Sequence, residues 1–124
     1  MSLLTRHLRA RLLANGRCRG LDHVPVVKFF NQAGIGTWLA TELDEDGDTL
    51  FGLADLGEPE LGAFSLSEME TLKLSFGLGI KRDLLFEGAF PLSVYARAAR
   101  DCGRIVLDQR SLHLALAALQ RQLP

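Results

Sequence analysis

The sequence predicts an α+β domain in which a mostly antiparallel sheet of four or five strands packs with helices at both ends of the chain. Between residues 24 and 66, short runs rich in Val, Phe, Thr and Leu alternate with turn residues, as strands do. Near the two ends, leucines instead recur at helical spacing. A chain of 124 residues, 48% of them hydrophobic, is long enough for a single domain with its own core.

The first predicted elements are a helix and a strand. Thr5 is suited to cap a helix over residues 6–14, and Asn15-Gly16 is suited to end it. A basic loop follows, and residues 24–31 then have the composition of a strand. Pro25 agrees with a strand beginning there, because it cannot donate a hydrogen bond.

A three-stranded meander is predicted next, and the rest of the fold is organised around it. Its first turn is Asp44–Asp48, in which Gly47 can take the positive φ that hairpin loops need. Its second turn is Gly57-Glu58-Pro59. The predicted strands are residues 37–43, 49–56 and 60–66.

The second half of the chain predicts one short helix, one strand and two longer helices. Ser67 and Glu70 have the spacing of a capping box, which predicts a helix ending near Leu74. A flexible loop is expected over residues 75–80. Arg82–Phe86 predicts a strand that returns to the sheet. The two longer helices are predicted over residues 92–101 and 108–122.

Charge is segregated along the chain. Residues 1–36 carry six basic side chains and one acidic, residues 37–72 carry ten acidic and no basic, and residues 73–124 carry eight basic and four acidic. The local net charges of +5, −10 and +4 give the overall −1. The segments can neutralise one another within the fold, or they can present oppositely charged faces to partners.

Several functional classes are disfavoured by the sequence. No apolar run is long enough to span a membrane, and the Arg-rich N-terminus lacks the apolar core of a secretory signal, which predicts a cytoplasmic protein. Cys18 and Cys102 are expected to be free thiols. The three histidines lack the spacing of a zinc site, and no nucleotide-binding or nucleophile motif occurs. We therefore predict no catalytic residue, metal or cofactor.

The acidic turn partly matches the pattern of a calcium-binding loop. Glu42, Asp44, Asp46 and Asp48 match positions 1, 3, 5 and 7 of the EF-hand loop. Position 12, however, is Leu53 instead of the bidentate glutamate, and the flanking residues predict strands instead of helices. A solvated hairpin loop is the better interpretation.

Two further constellations stay open. Trp38 with Asp55, Glu58 and Glu60 could form a small carboxylate site beside an aromatic ring, as a hydrolase-type enzyme would need. An Arg-rich N-terminus could instead bind nucleic acid through its phosphates. Its basic residues are Arg6, Arg9, Arg11, Arg17 and Arg19.

The sequence resembles a bacterial family of uncharacterised proteins, the domain of unknown function numbered twenty-nine fifty-eight. The likeness is carried by residues 3–90, and most specifically by the blocks TELDEDGDTLFGLADLG and PELGAFSLSE. Residues 91–124 are less distinctive. The resemblance implies a small cytoplasmic accessory protein of plasmids, conjugative elements and phages, and it implies no catalytic residues.

These observations favour a non-catalytic interaction protein whose acidic meander meets a partner protein with a basic surface. A protein that mimics DNA to counter host defence is the sharpest form of this hypothesis. The nucleic-acid and enzyme alternatives remain beside it, and the sequence does not indicate an oligomeric state. The candidate binding residues are Trp38, Glu42, Asp44, Glu45, Asp46, Asp48, Asp55, Glu58 and Glu60.

Overall fold

The computed structural model describes residues 2–72 and 77–123, which form four helices and five strands. In chain order they are α1 (Arg6–Gly16), β1 (Val27–Asn31), β2 (Thr37–Leu43), β3 (Thr49–Asp55), β4 (Pro59–Ser65), α2 (Leu66–Thr71), β5 (Ile80–Arg82), α3 (Leu92–Cys102) and α4 (Gln109–Arg121). The predicted α+β class is confirmed. None of the helices in the described part is long and apolar enough to cross a membrane.

All five strands belong to one antiparallel sheet with the order β4-β3-β2-β1-β5. The predicted meander is confirmed, because β2, β3 and β4 follow one another in space as they do in sequence. β4 and β5 are the two edges of the sheet. The edges differ in length, with seven residues in β4 and three in β5.

Each face of the sheet has its own apolar core, because successive side chains of a strand point to opposite faces. On one face, Leu12 of α1 packs with Phe29, Trp38 and Leu50 of the sheet. On the other face, Leu39 and Leu53 are covered by the hairpin of α3 and α4. The helices at both ends of the chain therefore pack on the sheet as predicted.

Glycine is required at two close backbone contacts, one between α1 and the sheet and one within the sheet. A Cβ atom on Gly16 would lie 2.2 Å from the carbonyl oxygen of Leu43, so α1 reaches β2 only because residue 16 is glycine. Within the sheet, a Cβ atom on Gly52 would lie 1.9 Å from the carbonyl oxygen of Leu39. The pairing of β2 with β3 shifts register at this point, between Ala40 and Glu42, as a β-bulge does.

The prediction of a strand over Arg82–Phe86 is wrong. Its strand lies earlier, at Ile80–Arg82, and the following residues form a turn. The Asp83 carboxylate accepts a hydrogen bond from the backbone N–H of Leu85 at 2.9 Å, and this local bond competes with a sheet ladder. Leu85 is consequently 94% exposed.

Other element boundaries move by a few residues. β1 begins at Val27 instead of residue 24, since Pro25 precedes it outside the ladder. The short helix α2 ends at Thr71, and the expected end near Leu74 lies outside the described residues, as do residues 75 and 76 of the expected loop. Ile80, the last residue of that expected loop, belongs to β5.

Candidate functional site: an acidic cleft beside the meander

A cleft of about 520 Å³ lies between the α1–β1 loop and the sheet. It opens because the α3–α4 hairpin covers Leu39 and Leu53 but does not extend over the part of that face nearest the acidic turn. The residues that line it are Gly16, Arg19, Gly20, Leu21, Asp22, Glu42, Asp44, Thr49, Phe51 and Ala63.

The floor of the cleft is apolar. Phe51 of β3 pairs with Ala63 of β4, so both side chains lie on the same face of the sheet. Phe51 keeps 38% of its surface exposed, and Leu21 of the α1–β1 loop is exposed as well. An exposed aromatic ring beside a leucine is a surface on which another apolar side chain can pack.

Carboxylates form much of the rim. Glu42 pairs with Phe51 across the sheet, which places its side chain on the cleft face. Asp44 lies at the end of the same hairpin and forms an ion pair of 2.7 Å with Arg19. Both partners are substantially exposed, so this pair contributes little to stability. Glu42 forms no ion pair with any described residue.

The α1–β1 loop that closes the cleft is tied to α3. The carboxylate of Asp22 accepts hydrogen bonds from the backbone N–H of Ser93, at 3.0 Å, and from the Ser93 hydroxyl. The backbone N–H of Leu92 donates to the carbonyl oxygen of His23 at 2.9 Å. These bonds place Asp22 at the cleft wall and engage both of its oxygens.

Within the acidic turn, two of the predicted binding residues hold the backbone. Asp46 accepts hydrogen bonds from the Thr49 hydroxyl at 2.6 Å and from the backbone N–H of Thr49 at 2.8 Å. Asp48 accepts from the backbone N–H of Ser67 at 2.7 Å and from the Ser65 hydroxyl at 2.8 Å, so it secures the start of α2. These bonds favour the charged forms.

The pKa values of both carboxyl groups are lowered accordingly. The side-chain bond from Thr49 is the main cause that lowers the pKa of Asp46. For Asp48, the backbone bond from Ser67 is the main cause of the lowered pKa. The oxygens of both groups are therefore engaged by the turn and by the start of α2. No cluster of three or more potential His, Cys, Asp or Glu ligands occurs within residues 2–72 and 77–123.

The structure does not bring the four residues of the predicted carboxylate site together. Trp38 pairs with Ala54 and faces the core that α1 covers. Asp55, the residue after Ala54, points to the opposite face of the sheet. Asp55 is buried, and its two oxygens accept hydrogen bonds from the backbone N–H groups of Gly57 and Ile105, both at 3.0 Å. Glu58 and Glu60 are exposed at the outer strand.

The arginines of the N-terminal segment are placed unevenly. Arg6, Arg11 and Arg17 are exposed. Arg9 donates to the carbonyl oxygen of Gly47 in the acidic turn at 3.2 Å, and Arg19 pairs with Asp44. The two arginines nearest the turn are thus set among carboxylates, where a phosphate would meet like charge.

Most of the acidic charge is not neutralised by direct ion pairs. Ten carboxylates lie in residues 37–72, and Asp44 alone among them belongs to an ion pair of the described residues, which leaves nine. The other two ion pairs, Lys28–Asp83 and Arg97–Asp101, lie outside this acidic segment. Seven of the nine lie in the meander, one of them the buried Asp55, and Glu68 and Glu70 lie in α2. The acidic segment therefore carries a surplus of negative charge.

Sequence reasoning found the rim of the cleft but missed its floor. Glu42 and Asp44 stood out because they belong to a run of acids. Phe51 and Ala63 carried no signal, because an exposed apolar residue and a buried one look alike in a strand that alternates imperfectly. Leu21 carried none because it lies in a loop, outside every predicted helix and strand. One hint was that β3 carries apolar residues on both faces. How much of β3 stays exposed depends on where the α3–α4 hairpin ends, and only the tertiary structure shows that.

Comparison with known proteins identifies a family. No curated protein and no solved structure matches the chain. The model of one family, described as "Protein of unknown function (DUF2958)", matches residues 3–106, which span the sheet, the cleft and α3. The chain belongs to this family.

Proposed function

We propose that the protein is a non-catalytic interaction module that binds a basic segment of a partner protein at the acidic surface of its meander. The observation that carries the proposal is a cleft with an apolar floor whose rim includes Glu42, a carboxylate that forms no ion pair with the described residues, within a segment that has a surplus of negative charge. We place this function in the cytoplasm of bacteria, in the mobile-element setting that the family resemblance implies.

The negative charge of the acidic segment favours a partner with a basic surface. Exposed carboxylates attract a cationic surface over roughly 10 Å at moderate ionic strength and speed its approach. Glu42 forms no ion pair within residues 2–72 and 77–123, and Glu45 is exposed at the tip of the turn. A lysine or arginine of the partner can pair with these two groups without displacing any internal bond.

The apolar floor supports a protein rather than a simple cation as the ligand. Phe51 and Leu21 offer contact area to an aliphatic side chain or to the methylene stem of an arginine. Such a mixture of an apolar centre and a charged rim is the usual composition of protein interfaces. The cleft therefore favours a segment that contains both basic and apolar residues.

The sharper hypothesis of a DNA mimic is less well supported. Asp44, Asp46 and Asp48 each use carboxylate oxygens in hydrogen bonds within the protein, and Arg19 lies beside Asp44. Their charge remains, but their positions follow the needs of a tight turn and a helix start. Nothing in this arrangement selects the regular spacing of phosphates.

The nucleic-acid alternative has less support for a related reason. Arg9 and Arg19, two of the five arginines concerned, lie beside the acidic turn, so a phosphate chain there would be repelled. If the protein bound nucleic acid, a gel-shift would show retardation that weakens steeply with salt. We expect no such retardation.

The cleft can be tested with a fluorescent peptide of alternating arginine and valine, about eight residues long, the length of an ordinary strand. Anisotropy should report binding by the native protein that weakens with salt. Glu42→Gln should weaken it about threefold to tenfold, because it removes the unpaired rim charge. Phe51→Ser should weaken it similarly through the lost apolar contact.

Glu87→Gln is the matched control, since Glu87 is an exposed glutamate outside the acidic segment. It should leave the affinity unchanged. A peptide with glutamate in place of arginine should not bind. If the arginine peptide fails to bind the native protein, or if it binds the Glu42 and Glu87 variants equally, the proposal of a basic ligand in the cleft is wrong.

A further inference from the structure

The outer strand β4 leaves a row of backbone hydrogen-bonding groups unused on one side. In the part of the chain that the structure describes, β4 is the last strand of the sheet and pairs with β3 alone. Its middle and end, Leu61–Ser65, contain no proline and no charged side chain. Natural edge strands usually carry such residues, which prevent another strand from pairing with them. Here only the beginning of the strand does, at Pro59 and Glu60.

The register identifies the unused groups. In an antiparallel pair, hydrogen-bonded and non-hydrogen-bonded residue pairs alternate. The backbone N–H of Leu66 donates to the carbonyl oxygen of Asp48 at 2.9 Å, which marks that pair as hydrogen-bonded. Every second pair along the register from Asp48 and Leu66 is therefore also hydrogen-bonded. These pairs are Leu50 with Phe64, Gly52 with Gly62, and Ala54 with Glu60.

The intervening residues of β4 therefore direct their backbone groups away from β3. They are Leu61, Ala63 and Ser65, which are opposite Leu53, Phe51 and Thr49. Two contacts agree with this alternation, because the carbonyl oxygens of Thr49 and Phe51 are used on the side of β2, by Asp44 and Thr41. Leu61, Ala63 and Ser65 thus offer three N–H donors on the open edge.

The side chains around this edge define what kind of strand fits. On the cleft face, Leu61 is 50% exposed and Ala63 is exposed beside Phe51, so this face is apolar. On the opposite face, Glu60 and Glu58 line a shallow depression of about 230 Å³. A strand whose side chains alternate would place apolar residues on the first face and basic residues on the second.

We propose that β4 is a docking edge that takes an extended segment of a partner protein, with alternating basic and apolar residues, as a sixth strand of the sheet. The proposal rests on the proposed function for the charge of the partner. It adds a second place where that charge is met, at Glu58 and Glu60 on the face opposite the cleft. Main-chain hydrogen bonds from Leu61, Ala63 and Ser65 provide affinity, and the two faces provide specificity.

A second copy of the chain is a poorer occupant of this edge. Pairing two β4 strands would bring together two edges that each carry Glu58 and Glu60. The acidic segment, residues 37–72, has no lysine or arginine to compensate. Two such acidic segments side by side repel each other through their net charge, whereas a basic strand gains from the same carboxylates.

Ala63→Pro is the decisive variant. Proline removes the outward N–H of residue 63 without removing a bond to β3, and proline is tolerated on edge strands in this orientation. It should weaken the arginine–valine peptide about tenfold or more, because it deletes one hydrogen bond and obstructs the neighbouring ones. Ala63→Val is the matched control, because it keeps both the N–H and an apolar side chain on the cleft face. A loss of affinity in Ala63→Pro that Ala63→Val does not show is due to the missing N–H.

Amide hydrogen exchange provides a second measurement. When the peptide binds, the amides of Leu61, Ala63 and Ser65 should exchange at least about tenfold more slowly, since they become hydrogen-bonded. Thermal unfolding of the two Ala63 variants identifies any loss of folding. If Ala63→Pro is misfolded, the exchange of these three amides in the native protein decides the question.

The outcomes separate this proposal from the proposed function. If Glu42→Gln weakens binding of the peptide while Ala63→Pro does not, and the three amides gain no protection, strand addition is overturned and binding in the cleft is supported. If Ala63→Pro weakens binding of the peptide and Glu42→Gln does not, binding at the β4 edge is supported and binding in the cleft is overturned. Failure of the peptide to bind overturns both. A dimer that forms through protected β4 amides without peptide would assign the edge to a second copy instead.

Discussion

The carboxylate of Asp55 at the end of β3 accepts a hydrogen bond from the backbone N–H of Ile105, fifty residues further along the chain, at 3.0 Å. Its other oxygen accepts from the N–H of Gly57. One buried side chain thereby joins the meander to the segment between α3 and α4. A carboxylate that looked available for chemistry is used to hold two parts of the fold together.

Replacing this carboxylate should destabilise the protein. Asp55→Ala leaves two partly buried backbone N–H groups without their partner, and we expect the free energy of unfolding to fall by about 1–3 kcal/mol. Asp55→Asn, which retains one acceptor oxygen, should have a smaller effect. Urea denaturation measures both. An Asp55→Ala protein as stable as Glu58→Ala, an exposed control, would contradict this role.

The bonds to Asp48 should make stability depend on pH. Because the pKa of Asp48 is lowered in the folded protein, its contribution to stability is fully present above the ordinary pKa of aspartate. That contribution is lost as the pH falls below about 4 and through the lowered pKa. The melting temperature of Asp48→Asn should therefore be below that of the native protein at pH 7, with a difference that shrinks in acid. A difference that is independent of pH would contradict the prediction.

The stability of the protein should depend strongly on one of two paired glycines and hardly on the other. Gly52 and Gly62 are opposite each other in β3 and β4. A Cβ atom on Gly52 would lie 1.9 Å from the Leu39 carbonyl oxygen, whereas one on Gly62 would have no neighbour within 4 Å. Gly52→Ala should lower the free energy of unfolding by about 1–3 kcal/mol or more. Gly62→Ala should leave it nearly unchanged, and equal effects in denaturation experiments would refute this difference in packing.

The free protein should show an alternation of amide exchange along β4. Gly62 and Phe64 donate to β3, so their amides should be protected. The amides of Leu61 and Ala63, which face the open edge, should exchange faster by about tenfold or more. Exchange followed by NMR tests this directly, and similar protection at all four positions would mean that the edge is already paired.

Local patterns were enough to predict most of the elements. Thr5 accepts a hydrogen bond from the backbone N–H of Leu8, as a predicted N-cap should, and the acidic turn joins two strands as its Gly47 indicated. The strand over Arg82–Phe86 was mispredicted because an apolar pair, Leu84 and Leu85, resembles a buried strand. The side chain of Asp83 instead closes a turn that leaves both leucines exposed.

The sequence by itself determined the fold class, the meander and the excess of carboxylates in residues 37–72, because each depends on residues that are close along the chain. Only the tertiary structure decided which carboxylates are free. Asp55 is engaged by a distant backbone group, and Asp46 and Asp48 hold the turn and the start of α2. Glu42, beside Phe51, forms no ion pair with the residues that the structure describes. The reason is physical: hydrogen-bond partners and cover on a sheet face come from segments far apart in sequence, and local patterns carry no information about them.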